Sequence, residues 1–240
     1  MPDVEEPPLI RCNEYAFYLD LDGTLAPIVD HPDDVVIEPK MLDLLNRLKT
    51  ASNGAVAILS GRSLAEIDGI IAPVVLHAAG EHGAETRGAG GMRQAVKLPA
   101  EAYSEISSFA QSHDLLVERK AGGAALHYRT APGHAEASKD FMHTLAARHE
   151  GFRVLHGKMV SEIVSVVCSK ETALRDFAMV APFQDRLPVM IGDDVTDEDG
   201  FRAARSLGGF GIKVGEGDTV ARYRLASISN LYNWLSSLLK

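Results

Sequence analysis

Two carboxylates spaced two residues apart, Asp20 and Asp22, are the first side chains in this sequence whose type and spacing could do chemistry. They directly follow the apolar run Phe17–Leu19, which predicts a buried strand, and Gly23 can turn the chain sharply behind them. Ligands of open α/β sheets lie just beyond the carboxyl ends of the strands. With a phosphate bound there, Asp20 could attack phosphorus, and Asp22 could exchange protons with the leaving alcohol and with water. The alternative is an Asx turn, in which Asp22 only bonds its own backbone.

A second acidic cluster begins at Asp193, after the apolar run Pro188–Ile191. Two close carboxylates repel each other unless a hard cation lies between them, and carboxylates are rarely buried without a partner. Mg²⁺ takes one or two carboxylates together with waters and phosphate oxygens. One ion could therefore serve both clusters, held by Asp20, the backbone carbonyl of Asp22, and Asp193.

Asp194 and Asp197 belong to the same cluster, and either could hold the waters of such an ion; the sequence alone does not order Asp193, Asp194 and Asp197. Asp197 could instead complement the dipole of a helix from its first turn. Lys170 opens a predicted helix capped by Ser169, where the dipole already favours anions and does not explain a lysine. As a cation facing the ligand, Lys170 could screen Asp20 from the phosphate and stabilise a charged transition state. The alternative for Lys170 is a solvated side chain.

Ser60, Gly61 and Arg62 follow the next predicted strand, and Ser63 with Glu66 has the spacing of a capping box that opens a helix. A hydroxyl and backbone N–H groups at a strand end, next to a helix N-terminus, suit phosphate oxygens. Ser60 could otherwise be an ordinary turn hydroxyl.

Strand and helix patterns alternate before and after a central interruption, which predicts an α/β fold with a parallel sheet. The predicted strands near these motifs are residues 55–59, 74–79, 188–191 and 210–214. Helical spacing of apolar residues predicts a helix over about 41–48 and another at the C-terminus, with Asn230 as a possible cap.

The interruption reads as a helix, two strands, a second helix and two more strands, with the strands at 115–120, 124–129, 152–156 and 159–167. Two hairpins, each preceded by a helix, predict a small antiparallel sheet covered by two helices. We therefore expect two domains: a core of residues 1–97 and 167–240, and an inserted α+β cap of residues 98–166.

Charged side chains recur on the predicted cap strands. Strand alternation puts Glu118 and Lys120 on one face, and His127 and Arg129 together on a face of the next strand. Glu162 lies among apolar neighbours, where a carboxylate is unfavourable unless it has a partner or a ligand. Charged donors and acceptors recognise sugar hydroxyls, so these positions could bind a sugar. Surface salt bridges on an exposed sheet face are the alternative.

Asp-Leu-Asp-Gly-Thr-Leu at residues 20–25 resembles the first motif of the haloacid-dehalogenase-like (HAD) phosphotransferases. Ser60-Gly61-Arg62, Lys170 and the stretch 192–198 resemble the second, third and fourth motifs. The form Gly-Asp-Asp-x-Thr-Asp-Glu of the fourth motif, with the stretch 80–85, is similar to the trehalose-6-phosphate phosphatase family. In the cap, residues 118–120, 126–129 and the pattern Gly157-Lys158-x-x-x-Glu162 are similar to that family as well.

The resemblance implies a Rossmann-like parallel-sheet HAD core with an inserted α+β cap of the C2 type. The site residues that it implies are Asp20 as nucleophile; Asp22 as general acid and base; Ser60 and Lys170 as phosphate ligands; Asp20, Asp22 and Asp193 around Mg²⁺; and Glu118, Lys120 and Glu162 on the glucose units. We expect Gly61 and Arg62 of the second motif to bind the substrate as well. The segment 163–171 departs from the family pattern, being more apolar and poorer in turn residues.

The composition limits the classes of protein to which this chain could belong. The 240 residues are 46% hydrophobic and 24% charged, as in ordinary soluble domains, and the net charge of −9 argues against a nucleic-acid partner. Cys12 and Cys168 lie far apart and suit a reducing compartment. No basic-then-apolar leader opens the sequence, and no apolar run reaches the roughly 20 residues that span a bilayer. We expect a cytoplasmic, monomeric enzyme with a small phosphorylated sugar as substrate and no membrane partner.

The function expected from these residues and this resemblance is Mg²⁺-dependent hydrolysis of trehalose 6-phosphate. Three other functions stay open: a phosphatase for another sugar phosphate, such as sucrose or mannosylglycerate phosphate; a phosphohexomutase; and a sensor that binds a sugar phosphate without turnover.

Overall fold

The computed structural model describes residues 5–29, 31, 34–88, 96–157 and 159–240. Lys158 of the predicted cap motif lies outside the described residues. The chain divides into two compact units: a core unit, Met1–Met92 with Ser169–Lys240, and a cap unit, Arg93–Cys168. The predicted cap of residues 98–166 falls within the second unit.

The helices and strands of the described residues are, in chain order, β1 (Tyr15–Leu19), α1 (Pro39–Ala51), β2 (Val56–Leu59), α2 (Leu64–Ile71), β3 (His77–Gly80), β4 (Glu85–Arg87), α3 (Ala100–His113), β5 (Leu116–Arg119), β6 (Ala124–His127), α4 (Ala135–Arg148), β7 (Phe152–Gly157), β8 (Val160–Ser165), α5 (Lys170–Ala178), β9 (Leu187–Gly192), α6 (Asp197–Ser206), β10 (Phe210–Val214), β11 (Tyr223–Leu225) and α7 (Ile228–Ser237).

The core unit is built on a seven-stranded sheet in the order β11-β10-β9-β1-β2-β3-β4. Every neighbouring pair is parallel except β3 and β4, which are antiparallel. The central strand β1 lies between β9 and β2, with Leu19 opposite Ile191 on one side and Ile58 on the other. The order of the strands reverses at β1, and such a switch point is where ligands of doubly wound sheets bind.

Helices cover both faces of this sheet, as the alternation of β1 shows. Phe17 and Leu19 pack into a cluster with apolar residues of α1, α2 and α7, whereas Ala16 and Tyr18 pack into a second cluster with α5 and α6. Because both faces are buried, the strand reads as a nearly continuous apolar run. The predicted α/β core is confirmed.

The helix starts near the site follow the predicted caps. The hydroxyl of Ser63 accepts the amide N–H of Glu66, whose carboxylate accepts the Ser63 amide, so α2 opens with a full capping box. Ser169 caps α5 in the same way, with Thr172 as its partner. The expected Asn230 cap is wrong: α7 begins three residues earlier, where Ser227 accepts the amide N–H of Asn230.

The cap unit is a four-stranded antiparallel sheet in the order β5-β6-β8-β7. One face packs against α3 and α4 through a cluster that includes Ala124, Leu126 and Ile163. The expected helix-strand-strand repeat and the α+β architecture are confirmed, with strand ends that differ from the prediction by at most two residues.

Within the described part of the chain, no helix is both long and apolar enough to cross a membrane. Cys12 and Cys168 are both buried and not disulfide-bonded, as expected for cysteines that fill small apolar spaces.

Candidate active site

Three neighbouring strands of the core sheet end at the same edge and deliver the predicted motifs there. Asp20 follows β1, the Ser60-Gly61-Arg62 loop follows β2, and Asp193 follows β9. The sheet bonding continues into the motifs: the amide N–H of Asp20 donates to the carbonyl of Ile191 at 2.9 Å, and that of Ser60 donates to Ala79 at 3.0 Å. The backbone at the start of each loop is therefore fixed by the sheet.

Lys170 joins two of the predicted acidic residues. It is the first residue of α5, and its Nζ lies 2.6 Å from Oδ1 of Asp20 and 2.6 Å from Oδ1 of Asp197. Burial disfavours its charge, but the carboxylates of Asp197 and Asp20 outweigh that cost and raise the pKa of Lys170. The lysine is 4% exposed, so the alternative of a solvated side chain is wrong.

The Asp20 carboxylate is buried and held at both oxygens. Lys170 bonds Oδ1, and the hydroxyl of Thr24 donates to Oδ2 at 3.1 Å. Burial raises the pKa of Asp20, and the nearby carboxylates of Asp197 and Asp193 raise it further, while Lys170 opposes them. A positive charge placed beside this group would favour its ionised form.

Asp20, Asp193 and Asp197 each offer a carboxylate oxygen within 4.8 Å of the others. Burial, together with the charges of Asp197 and Asp194, raises the pKa of Asp193 to about 6. Its Oδ1 is buried and has no hydrogen-bond partner among the described residues. Burying a carboxylate oxygen without a partner is energetically unfavourable. This oxygen is therefore suited to bind a cation.

Asp197 differs from Asp193 because protein donors occupy both of its oxygens. Oδ1 accepts from Lys170, and Oδ2 accepts the amide N–H of Asp194 at 2.9 Å. The side chain is fully buried at the first position of α6. Its contacts fit the role of fixing Lys170 and the loop of Asp194, in addition to the expected stabilisation of the helix dipole. The Asp194 residue itself is exposed.

Glycines allow these motifs to approach each other. A Cβ on Gly23 would lie 2.1 Å from Oδ2 of Asp193, and one on Gly192 would lie 2.1 Å from Cγ of Asp197. Gly23 also has a φ of +83°, in the left-handed region that favours glycine. The turn after Asp22 can therefore lie directly against the second acidic cluster.

Asp22 and Arg62 form a side-on ion pair. Nε of Arg62 is 2.7 Å from Oδ2 of Asp22, and Nη2 is 2.8 Å from Oδ1. Ser60, which is buried, accepts the amide N–H of Arg62 through its hydroxyl at 3.2 Å. The structure thus pairs the expected general acid with an expected substrate-binding residue, a contact that sequence spacing did not reveal.

The Gly-rich stretch 80–85 braces the Ser60-Gly61-Arg62 loop. The amide of Glu81 donates to the carbonyl of Arg62 at 2.8 Å, and the amide of His82 donates to Ser60 at 3.0 Å. A Cβ on Gly61 would lie 2.9 Å from the ring of His82. Glu85 accepts the amide N–H of Leu64 at the start of α2. These contacts give the stretch a structural role beside the predicted phosphate loop.

Lys213 is a site residue that the sequence reasoning missed. It is 5% exposed on β10, and its ammonium donates to the backbone carbonyl of Asp193. The signal was present, because a lysine in the apolar run Phe210–Val214 of a fully buried strand needs a polar partner. The contact fixes the backbone of the predicted metal ligand.

The cap unit brings Glu118, Lys120, His127 and Glu162 to one face of its sheet. Glu118 pairs with Ala125, and Ala125 pairs with Glu162, so both glutamates point to the face opposite the helices. Glu118 bonds Lys120, and its Oε2 lies 3.0 Å from Nε2 of His127. The alternative of salt bridges on the sheet face is therefore also present, because Glu118 bonds both Lys120 and His127.

Acid unfolding should reveal the Glu118 contacts. The hydrogen bond from His127, followed by that from Lys120, lowers the pKa of Glu118 from 4.5 to about 2. A lowered folded-state pKa stabilises the chain above the unfolded value, and this contribution disappears as the pH falls through about 2.

We therefore expect Glu118→Gln to lower the free energy of unfolding near neutral pH by less than about 1 kcal/mol, because the side chain is 40% exposed. The difference should shrink between pH 4.5 and 2. Urea unfolding at a series of pH values measures it, and a pH-independent difference would contradict the assignment.

Comparisons with known proteins identify the family of the chain. A family model described as trehalose-phosphatase matches residues 18–229. The chain is 40% identical to the trehalose-6-phosphate phosphatase of Escherichia coli (strain K12) over 94% of this chain and 86% of the relative. It is 35% identical to a probable trehalose-phosphate phosphatase of Sinorhizobium fredii over 85% and 78% of the two chains.

Solved structures share the fold. The C-terminal domain of the trehalose-6-phosphate phosphatase of C. albicans superposes with a TM-score of 0.80 at 21% identity, over 95% of this chain and 92% of that one. A haloacid dehalogenase-like hydrolase from B. subtilis gives 0.68 at 13% identity, over 93% and 99%. The chain therefore belongs to the trehalose-phosphatase family and is a phosphatase with the HAD fold.

Proposed function

We propose that the chain hydrolyses trehalose 6-phosphate to trehalose and phosphate through an aspartyl-phosphate on Asp20, with Mg²⁺ bound. The observation that carries this proposal is the buried Asp20 carboxylate at the end of β1, held by Lys170 and Thr24 and close to Asp193. The choice of substrate is supported by the relatives that are named trehalose-6-phosphate phosphatases.

The residues present fit a magnesium ion. Asp20 and Asp193 supply hard carboxylate oxygens, as Mg²⁺ prefers, and Oδ1 of Asp193 has no other partner among the described residues. We propose that these two carboxylates and the backbone carbonyl of Asp22 hold the ion, and that Asp197 stays with Lys170. When bound, Mg²⁺ neutralises phosphate oxygens and relieves the repulsion among the carboxylates.

Asp20 supplies the nucleophile. One of its oxygens forms a bond to phosphorus while the bond from phosphorus to the sugar oxygen breaks, which leaves the phosphoryl group on the carboxylate. Lys170, whose charge is fixed by its contacts with Asp20 and Asp197, screens the carboxylate from the phosphate and stabilises the charge that develops on it. Water then attacks phosphorus, the bond from phosphorus to the Asp20 oxygen breaks, and inorganic phosphate leaves the regenerated carboxylate.

Asp22 moves the protons in both steps. It gives a proton to the departing sugar oxygen and takes one from the attacking water. Its ion pair with Arg62 must open first, because both carboxylate oxygens accept from the guanidinium. A phosphate competes for the same guanidinium through the same side-on geometry. We propose that substrate binding moves Arg62 from Asp22 to the phosphate and so frees the acid.

The cap unit supplies residues that suit a sugar. Glu118, Lys120 and Glu162 share one face of its sheet, and we propose that they bind glucose hydroxyls of the substrate. A site built to bond hydroxyls rejects a ligand that lacks them, since buried polar groups are then left unpaired.

One assay tests the proposal: phosphate release from trehalose 6-phosphate and from glucose 6-phosphate, each with and without a chelator. We expect release from trehalose 6-phosphate only, and none after chelation. Glu162→Gln should lower kcat/KM for trehalose 6-phosphate about 10²-fold or more while leaving hydrolysis of a simple aryl phosphate unchanged. Glu101→Gln, on the exposed surface of α3, is the matched control.

The other outcomes identify the other functions. Faster release from sucrose or mannosylglycerate phosphate would reassign the substrate. A mutase would return the phosphoryl group to sugar and release no free phosphate. Binding of trehalose 6-phosphate without turnover in Mg²⁺ would indicate a sensor.

A further inference from the structure

Two exposed histidines of the cap unit point their ring nitrogens at each other. His143 lies on α4 and His156 on β7, and their Nε2 atoms are 2.9 Å apart, so one ring donates a hydrogen bond to the other. The ring centroids are 4.9 Å apart, and the ring planes are inclined at 65°. Neither residue belongs to the proposed phosphatase machinery.

This separation suits two ligands on one metal ion. Histidine nitrogens bind such ions at about 2.0–2.1 Å, and two nitrogens at right angles around an ion at that distance lie about 2.9 Å apart. Right angles are the geometry of square-planar or octahedral Cu²⁺ and Ni²⁺, and imidazole is a favoured ligand of both ions. Tetrahedral Zn²⁺ needs the nitrogens roughly half an ångström farther apart.

The surroundings hold His156 ready for that role. Its Nδ1 lies 3.0 Å from Oγ of Ser161, which is fully buried. This hydrogen bond through the other ring nitrogen fixes the orientation of the ring. Ligating histidines usually bond a second group through the other ring nitrogen. Burial, the charge of His143 and that of Lys139 lower the pKa of His156, whereas Glu136 opposes them. Glu136 and Lys139 form an ion pair at 2.7 Å on the same helix.

We propose that His143 and His156 form a chelating site for one divalent transition ion that favours right-angled imidazole ligands, Ni²⁺ or Cu²⁺. The only cluster of three or more acidic, histidine or cysteine ligands among the described residues is Asp20, Asp193 and Asp197. Waters therefore complete the coordination at the histidine pair, whose exposed side leaves room for them. The two sites differ in class: carboxylates take Mg²⁺, and imidazoles take the transition ion.

Such an ion would join α4 to β7 directly. Anything that binds the folded chain and not the unfolded one raises its stability. Ni²⁺ should therefore raise the melting temperature of the wild-type chain in excess Mg²⁺, and this gain should need both histidines.

The test is titration of the full chain with Ni²⁺ by calorimetry, in excess Mg²⁺ to occupy the carboxylates. The variants are His143→Asn, His156→Asn and the double variant, with His31→Asn, an exposed histidine of the core unit, as the control. Chelation predicts that each single variant weakens binding more than about 10-fold and that the double variant loses no more than either one.

Three results would overturn the site: no nickel binding by the wild type, full binding by either single variant, or losses that add as for independent histidines. In nitrogen-15 spectra with Ni²⁺, which is paramagnetic, the Nε2 signals of both residues should broaden together. Phosphate release in Mg²⁺ is a separate measurement that these variants should leave unchanged, so the histidine site and the proposed phosphatase mechanism stand or fall independently.

Discussion

Replacing Asp20 with asparagine is expected to lower phosphate release from trehalose 6-phosphate at least about 10⁴-fold, because a carboxamide cannot form the acyl phosphate. The fold should persist. Asparagine has nearly the same volume, its carbonyl can still accept from Thr24 or Lys170, and the change removes a buried charge that Asp197 and Asp193 already oppose. Phosphate release by the purified variant, with circular dichroism to confirm folding, measures the effect.

Asp22→Asn is the matched comparison, since it keeps the nucleophile and removes the proton donor. It should lower hydrolysis of trehalose 6-phosphate about 10²- to 10⁴-fold. With a radiolabelled aryl phosphate, whose leaving group needs no proton, Asp22→Asn should still trap label on the protein after acid quench, whereas Asp20→Asn should trap none. Label on Asp20→Asn, or phosphate release above about one-hundredth of wild type, would contradict the assignment of the nucleophile.

The fold was predictable wherever the apolar pattern and the start of an element agree. β1, β2 and β9 read as apolar runs because both faces of the core sheet are covered, and the capping box of Ser63 and Glu66 marks the start of α2. The start of α7 was misplaced because Ser227 and Asn230 are both good caps at a spacing of three residues. Only the packing of the helix chooses between them.

Individual side chains of the site were predictable from residue type, but their pairing was not. An acidic run after a strand points to a ligand site, yet Asp193, Asp194 and Asp197 have equal claims in the sequence. The structure separates them, because Asp197 bonds Lys170 and the Asp194 amide, while Asp193 keeps an oxygen without a partner among the described residues. The Asp22–Arg62 pair joins two motifs 40 residues apart, and no local pattern records such a contact.

The buried cation of the site leads to the second large effect. Lys170→Met is expected to destabilise the metal-free chain by about 3–5 kcal/mol, because Asp20 and Asp197 then stay buried without their cation. For a chain of this size that loss lowers the melting temperature by about 10 °C. Urea unfolding in the presence of a chelator measures it. Lys40→Met, at an exposed lysine of α1, should leave the stability close to that of the wild type.

Turnover by Lys170→Met should also fall, by about 10²- to 10³-fold, because the developing charge loses a fixed cation. A second substitution separates the two roles of the lysine. Adding Asp197→Asn to Lys170→Met removes one uncompensated charge, so the double variant should regain part of the stability but none of the activity. Mg²⁺ should stabilise Lys170→Met more than the wild type, since a bound cation replaces the lost charge. Additive losses of stability, or equal stabilisation by Mg²⁺, would show that Lys170 does not hold the carboxylates together.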